Sequence, residues 1–458
     1  MSEFGRGLSF GDTVRWAVVC PVTPGGGESQ MVQVVRQRDR RRLPRGSASD
    51  RRLGLLAAAL TVGLALGACT SPSGSSGSNA AATDASSSAA ASTSTTTTPA
   101  IPPVTLTPSV AADAKVPVDT VVSVSAKDGT VTDVTLTYKD PKKGEVNVEG
   151  TLDPNGATWT ASSLLEPGAT YTLSMIGKNT AGLEGKAHST FSTQALSKKQ
   201  QIYPTVVANG ATVGVAMPVI VRFDVPVKDK AAFEKRMTVK SDPPQQGSWG
   251  WVSSSEAHWR PAQYWKPGTK VSVNVDINSV PAGNGTFGQL STSGSFTVGD
   301  ATIIKADLQS HQLTVNVKGA DVKTIPITGG KAGFETRSGT KVIMEKLPTV
   351  RMDANTVGIE PGDPNYYDIP DVQFAMRETN SGEFLHAAPW SVGSQGKTNV
   401  SHGCIGMSTA NAQWLFDLAK VGDPVVVTGT NRGLEAGNGW TDWNVSFDQW
   451  KSGSALTT

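Results

Sequence analysis

A tryptophan, a Pro-Gly turn and an alternating strand recur in the same order 100 residues apart. WTASSLLEPGATYTLSM (Trp159 to Met175) aligns with WRPAQYWKPGTKVSVNV (Trp259 to Val275), each tryptophan standing eight residues before its proline. Alternation with period two puts every second side chain on one face of a sheet, and turn residues between such segments fold the strands into layers. TVVSVSA, VTDVTLTYK and GEVNVEG carry the same alternation, and each copy closes on a phenylalanine-centred strand, HSTFSTQ and SGSFTVG. A chain written this way is mainly β, and the duplication predicts two successive sandwiches.

These are expected over 101–197 and 198–298 as immunoglobulin-like domains. Neither has a cysteine pair, so each core must hold by burial, and neither gathers a catalytic cluster. A spacer or wall-binding role follows. Upstream, the basic run RQRDRRRLPRGSASDRRL leads into the apolar stretch LGLLAAALTVGLAL (Leu53 to Leu66), too short to span a bilayer and of signal-peptide length. With a net charge of only +2, the basic run belongs to an export signal and no nucleic-acid partner is expected. LGAC (Leu66 to Cys69) resembles the lipobox of bacterial lipoproteins, which implies a leader over 1–68 and lipidation of Cys69. It also implies anchorage on the outer face of the cytoplasmic membrane. A Ser/Thr/Ala-rich linker follows from residue 69 to residue 100, with a coil reach of roughly 30 Å.

From residue 299 the pattern changes. HQLTVNV, DVKTIPITGG and KVIMEKLPTV predict short strands and hairpins. STANAQWLFDLAKVGD predicts one helix, capped by Ser408, with Trp414, Leu415 and Leu418 as its apolar stripe and Gly422 as its stop. A β-rich catalytic domain is expected over 299–430. The tail at 431–458, WTDWNVSFDQWKSG in its centre, is expected to pack on that domain.

Of three cysteines, Cys20 falls in the leader and Cys69 in the lipobox, which leaves Cys404 as a lone thiol. A thiol works as a nucleophile only when ionised, and so needs a base. His188, His258 and His311 read as surface or packing residues. His386 and His402 are the candidates. Taken residue by residue, a pair of satisfied histidines beside a buried cysteine fits equally well.

The longer run HAAPWSVGSQGKTNVSHGC, with His386 eighteen residues before Cys404, resembles the signature of the L,D-transpeptidases with a YkuD-type catalytic domain. The likeness extends to the lipoprotein members that have two immunoglobulin-like domains. It implies Cys404 as nucleophile, His386 as general base and later acid, and the Ala387 carbonyl as the group that fixes the ring. It further implies an oxyanion hole from the Gly403 and Cys404 N–H groups, with Ser401 and His402 shaping the loop. Substrate contacts implied are Ser381, Gly382, Met352 and a tyrosine, Tyr367, with Tyr366 one residue away in PNYYDIPDV. Where the family has asparagine two residues after the cysteine, this chain has Gly406. The implied partners are peptidoglycan stem peptides and carbapenem-class β-lactams. Neither metal nor cofactor is expected, since no His-Glu-x-x-His or paired Cys-x-x-Cys occurs. Hydrolysis at the same site, or an inert wall-binding lipoprotein, are the other readings.

Overall fold

The computed structural model describes residues 101–457. The leader, the proposed lipidation site Cys69 and the linker lie outside the described residues.

In the first sandwich the four-stranded sheet runs in the order Thr105–Pro108, Ser123–Lys127, Thr158–Ala161, Gly150–Leu152. The opposing five-stranded sheet has Glu184–Thr193, Thr170–Asn179 and Gly129–Asp140 at its centre. From Thr170–Asn179 every second residue turns inward. Tyr171, Leu173 and Met175 join Leu136, Trp159 and Phe191 in one apolar core. Tyr171 stacks on Phe191 with ring centroids 5.1 Å apart. Burying a side chain of this size stabilises by roughly 1.5–3 kcal/mol, which is how a sandwich without a disulfide coheres.

The second sandwich repeats the plan. Trp159 and Trp259 each lie on the third strand of a four-stranded sheet, Thr158–Ala161 and Glu256–Pro261. The two Pro-Gly turns place Gly168 at φ 68° and Gly268 at φ 80°, a region that side chains resist. Trp259 stacks on Trp265, whose Nε1 donates to the Met217 carbonyl at 2.7 Å.

The third region packs two sheets around one helix. Five strands run in the order Ala320–Pro326, Gln312–Val317, Thr302–Asp307, Pro424–Thr428, Gly339–Val342. Four run in the order Glu345–Asp353, Asp368–Arg377, Phe384–Ala387, Ile405–Met407. The helix, Thr409–Leu418, starts where the Ser408 hydroxyl accepts the Asn411 N–H at 3.3 Å. It buries Ala412 and Leu415, while Trp414 and Leu418 are half-buried at its flanks. The helix ends at Leu418, before the expected stop at Gly422. That glycine, at φ 95°, instead lies against Gly214 and Met217 of the second sandwich.

The tail at 431–458 reaches the second sandwich as well as the expected catalytic domain. Asn444 does bond to Thr340 there, but the three tryptophans go to the second sandwich. Trp440 enters its core, Trp443 Nε1 donates to Ala216 O at 2.8 Å, and Trp450 Nε1 donates to Ser248 O at 2.9 Å. The cause is strand Glu256–Pro261, where Glu256, His258 and Arg260 share one face. The Arg260 guanidinium lies over Trp443 at 4.7 Å and Trp450 at 5.4 Å. His258 is fully enclosed, with Asp442 and Glu256 each 2.8 Å from a ring nitrogen. Burial alone would discharge the ring, but the two carboxylates outweigh it and raise its pKa to about 9.

Candidate active site

Two strands bring the histidine and the cysteine together. Phe384–Ala387 and Ile405–Met407 run parallel, in register Leu385↔Ile405 and His386↔Gly406. Because side chains alternate, Leu385 and Ile405 enter the core, whereas His386, Gly406 and Cys404 line a cavity on the other face. Parallel neighbours need a crossover, and residues 388–404 provide it, which is why the two residues stand so far apart in sequence. The cavity holds about 310 Å³ and is also lined by Met352, Tyr367, Trp390 and Thr328.

The His386 Nδ1–H donates to the Ala387 carbonyl at 2.8 Å, so the neutral ring presents Nε2 as its free base. Burial lowers the His386 pKa to about 4. Burial likewise pushes the half-buried Cys404 thiol up to about 12. At neutral pH the pair is therefore thiol and imidazole rather than thiolate and imidazolium. The sulfur's hydrogen-bond partner among the described residues is the Gly382 carbonyl, at 3.6 Å, not the ring.

A pH dependence follows. Attack that hands the thiol proton to neutral His386 should proceed at a constant rate from pH 8 down to about 5. It should fall only as the ring protonates near pH 4. Intact-mass time courses of Cys404 acylation measure this. A rise of about tenfold per pH unit between 6 and 8 would instead identify free thiolate as the reacting form.

Ser401 staples the loop before the thiol. Its hydroxyl donates to Cys404 O at 2.6 Å and accepts the Gly403 N–H at 3.1 Å. Of the two expected oxyanion donors, Gly403 N–H is thus engaged at rest, and Cys404 N–H is taken by no side chain among the described residues. Gly403 sits at φ 128°, and a Cβ there would lie 3.4 Å from the Glu383 carboxylate. His402 wedges between Phe334, edge-on at 4.8 Å, and Tyr367 at 5.0 Å. Of the paired tyrosines it is Tyr367 that lines the cavity. Burial and the nearby Cys404 raise its phenol to about 12.

Met352 lies on Glu345–Asp353, half of a hairpin with Asp368–Arg377 that Arg351 clamps to Asp368 at 2.6 and 2.7 Å. Ser381 and Gly382 form the turn behind the sulfur rather than the cavity wall. Gly406 faces His386 with no side chain between them. A Cβ there would come within 2.8 Å of the Ala388 methyl, so the neighbour has filled part of the space.

Sequence reasoning missed two features. Trp390, half-exposed, lies parallel to the His386 ring at 5.9 Å; its place in HAAPW was the available signal. Behind the thiol, buried Lys341 meets Glu383 at 2.5 Å and Glu378 at 3.3 Å, and Arg337 meets Glu383 at 2.9 Å. Nothing in the local pattern marks that cluster.

The family model of the L,D-transpeptidase catalytic domain matches residues 301–427. That of a bacterial Ig domain matches 113–281, a span reaching across both sandwiches. L,D-transpeptidase 2 of Mycobacterium tuberculosis (strain CDC 1551 / Oshkosh) is 39% identical over 353 residues, 76% of this chain and 85% of that protein. L,D-transpeptidase 5 of Mycobacterium tuberculosis (strain ATCC 25618 / H37Rv) is 36% identical over 370 residues, 78% of each. The solved structure of the L,D-transpeptidase LdtMt1 in complex with imipenem is 40% identical, covering 49% of this chain and 97% of that one, with a TM-score of 0.44. With a histidine and a cysteine presented by paired strands to one cavity, and relatives alike over most of their length, the chain belongs to the L,D-transpeptidase family of enzymes.

Proposed function

We propose that this enzyme forms 3→3 cross-links in peptidoglycan through a Cys404 thioester. The observation that carries the reading is that Cys404 and His386 line one cavity, with the His386 Nδ1–H engaged by the Ala387 carbonyl and Nε2 left as the base. Cys404 attacks the carbonyl of the third residue of a donor tetrapeptide stem and His386 takes its proton. As the tetrahedral intermediate collapses, the imidazolium returns that proton to the departing amine of the terminal D-Ala. The third residue of a second stem then offers its side-chain amine, His386 removes a proton, and the new amide releases the sulfur. Dividing one acyl transfer into two lowers each barrier. In this reading the Cys404 N–H stabilises the developing oxyanion, and the Gly403 N–H joins when Ser401 yields it; one such donor is commonly worth about 10²–10³ in rate.

The same sulfur would open the strained ring of a carbapenem and keep the acyl group. Outside the described residues, the order Leu66, Gly67, Ala68, Cys69 supports a lipid anchor at Cys69 that holds the enzyme outside the cytoplasmic membrane, about 0.8 kcal/mol accruing per buried methylene.

Incubation of the purified protein with a disaccharide tetrapeptide, followed by mass analysis, tests the reaction. The expected product is a dimer lacking one D-Ala, obtained alongside free D-Ala. Only trimmed tripeptide would identify water as the acceptor, and unchanged substrate would leave a wall-binding protein.

A further inference from the structure

We propose that Asn438, in the C-terminal tail, is a positioning residue for the turn behind the nucleophile, so that docking of the tail on the second sandwich sets the geometry around Cys404. This rests on the thioester reading above. The Cys404 S–H donates to Gly382 O, and Gly382 stands at φ 94° in a turn closed by a 3.3 Å bond from its N–H to Thr379 O and by the Glu383 N–H, which donates to the Thr379 hydroxyl at 2.8 Å. Neither of these bonds engages the Ser381 N–H, next to Gly382, which takes its support from outside the turn.

The tail supplies it. Asn438 Oδ1 accepts the Ser381 N–H at 2.9 Å, Asn438 Nδ2 donates to Ser381 Oγ at 2.9 Å, and Asn380 Nδ2 donates to Gly437 O at 3.0 Å. Gly439 follows at φ 104°, so close to the strand end that a Cβ would fall 2.8 Å from Glu378 O. Immediately beyond, Trp440 is buried in the second sandwich, Asp442 meets His258 at 2.8 Å, and Trp443 donates to Ala216 O. Thr441 stiffens the crossing, its hydroxyl accepting the Gly437 N–H at 3.0 Å and its N–H donating to Gly439 O at 3.0 Å. One short segment therefore grips the catalytic turn at one end and the sandwich at the other. Asn438 does not line the cavity, so its effect reaches substrate through the turn. Displacements of about 1 Å at such a wall can change rates by as much as 10²-fold.

The test compares full-length wild type with Asn438→Ala and Asp442→Asn, following carbapenem acylation by intact mass over a range of drug concentrations and melting each protein. Asn438→Ala should lower the limiting acylation rate about tenfold and Asp442→Asn about threefold. The half-saturating concentration should stay within about twofold, since the binding wall itself is untouched. A folded Asn438→Ala protein acylated within twofold of the wild-type rate overturns the proposal, as does a loss that appears only in half-saturation. Should Asn438→Ala fail to fold, an unchanged rate in Asp442→Asn overturns it by itself. Wild type that takes no acyl group overturns the thioester reading and this one with it.

Discussion

Cys404→Ala is expected to yield neither a drug adduct nor cross-linked dimer, with a loss of roughly 10⁴–10⁶-fold, typical when a covalent nucleophile is removed from an intact site. The residual rate would come from orientation alone, because His386 keeps its bond to Ala387 O and the cavity keeps its walls. Folding should be unaffected. The sulfur makes one long hydrogen bond, to Gly382 O, and a lost bond of that kind is worth at most about 1 kcal/mol. Product analysis by mass and a thermal melt on the same sample check both halves. A native-like alanine variant that still forms dimer would remove Cys404 from the mechanism.

Lys341→Met should be the most destabilising single change near the site, by about 3–5 kcal/mol, because it leaves buried carboxylates without their cation. Glu383 retains Arg337, but Glu378 is completely buried and has no other cationic partner; one of its oxygens lacks any hydrogen bond among the described residues. Burial already raises the Glu378 pKa with Lys341 present. Adding Glu378→Gln to Lys341→Met should therefore recover a large part of the stability, which denaturant titration of the two variants will show. Equal stabilities would mean that the loss comes from methionine packing rather than from stranded charge. Activity should fall with Lys341→Met as well, since the Glu383 carboxylate it holds lies beneath Gly403.

Much of this architecture could be read before any coordinates. Strand alternation and the Trp159/Trp259 repeat located both sandwiches because those signals are local and depend on side-chain direction alone. His386 and Cys404 were legible for a different reason: the run HAAPWSVGSQGKTNVSHGC resembles a known signature, whereas the local pattern left satisfied histidines equally open and the parallel strand pair came only with the structure. What stayed hidden involves partners far apart in the chain. Lys341 sits in GTKVIME, where alternation and charge read as surface, and its partners lie 37 and 42 residues on. His258 read as a surface or packing residue, yet it is enclosed between carboxylates that raise its pKa, and one of them, Asp442, is 184 residues away. The tail tryptophans announced burial, expected on the catalytic domain, but the surface they take is set by strand Glu256–Pro261 and its Arg260 side chain. Gly382, expected as a substrate contact, meets the sulfur through its carbonyl.

Keeping the sulfur protonated between turnovers has a chemical benefit of its own. It is the thiolate that attacks peroxides and foreign disulfides, and burial, by raising the Cys404 pKa, keeps the resting sulfur largely as thiol. Cys404 is therefore expected to be oxidised more slowly at neutral pH than a free cysteine.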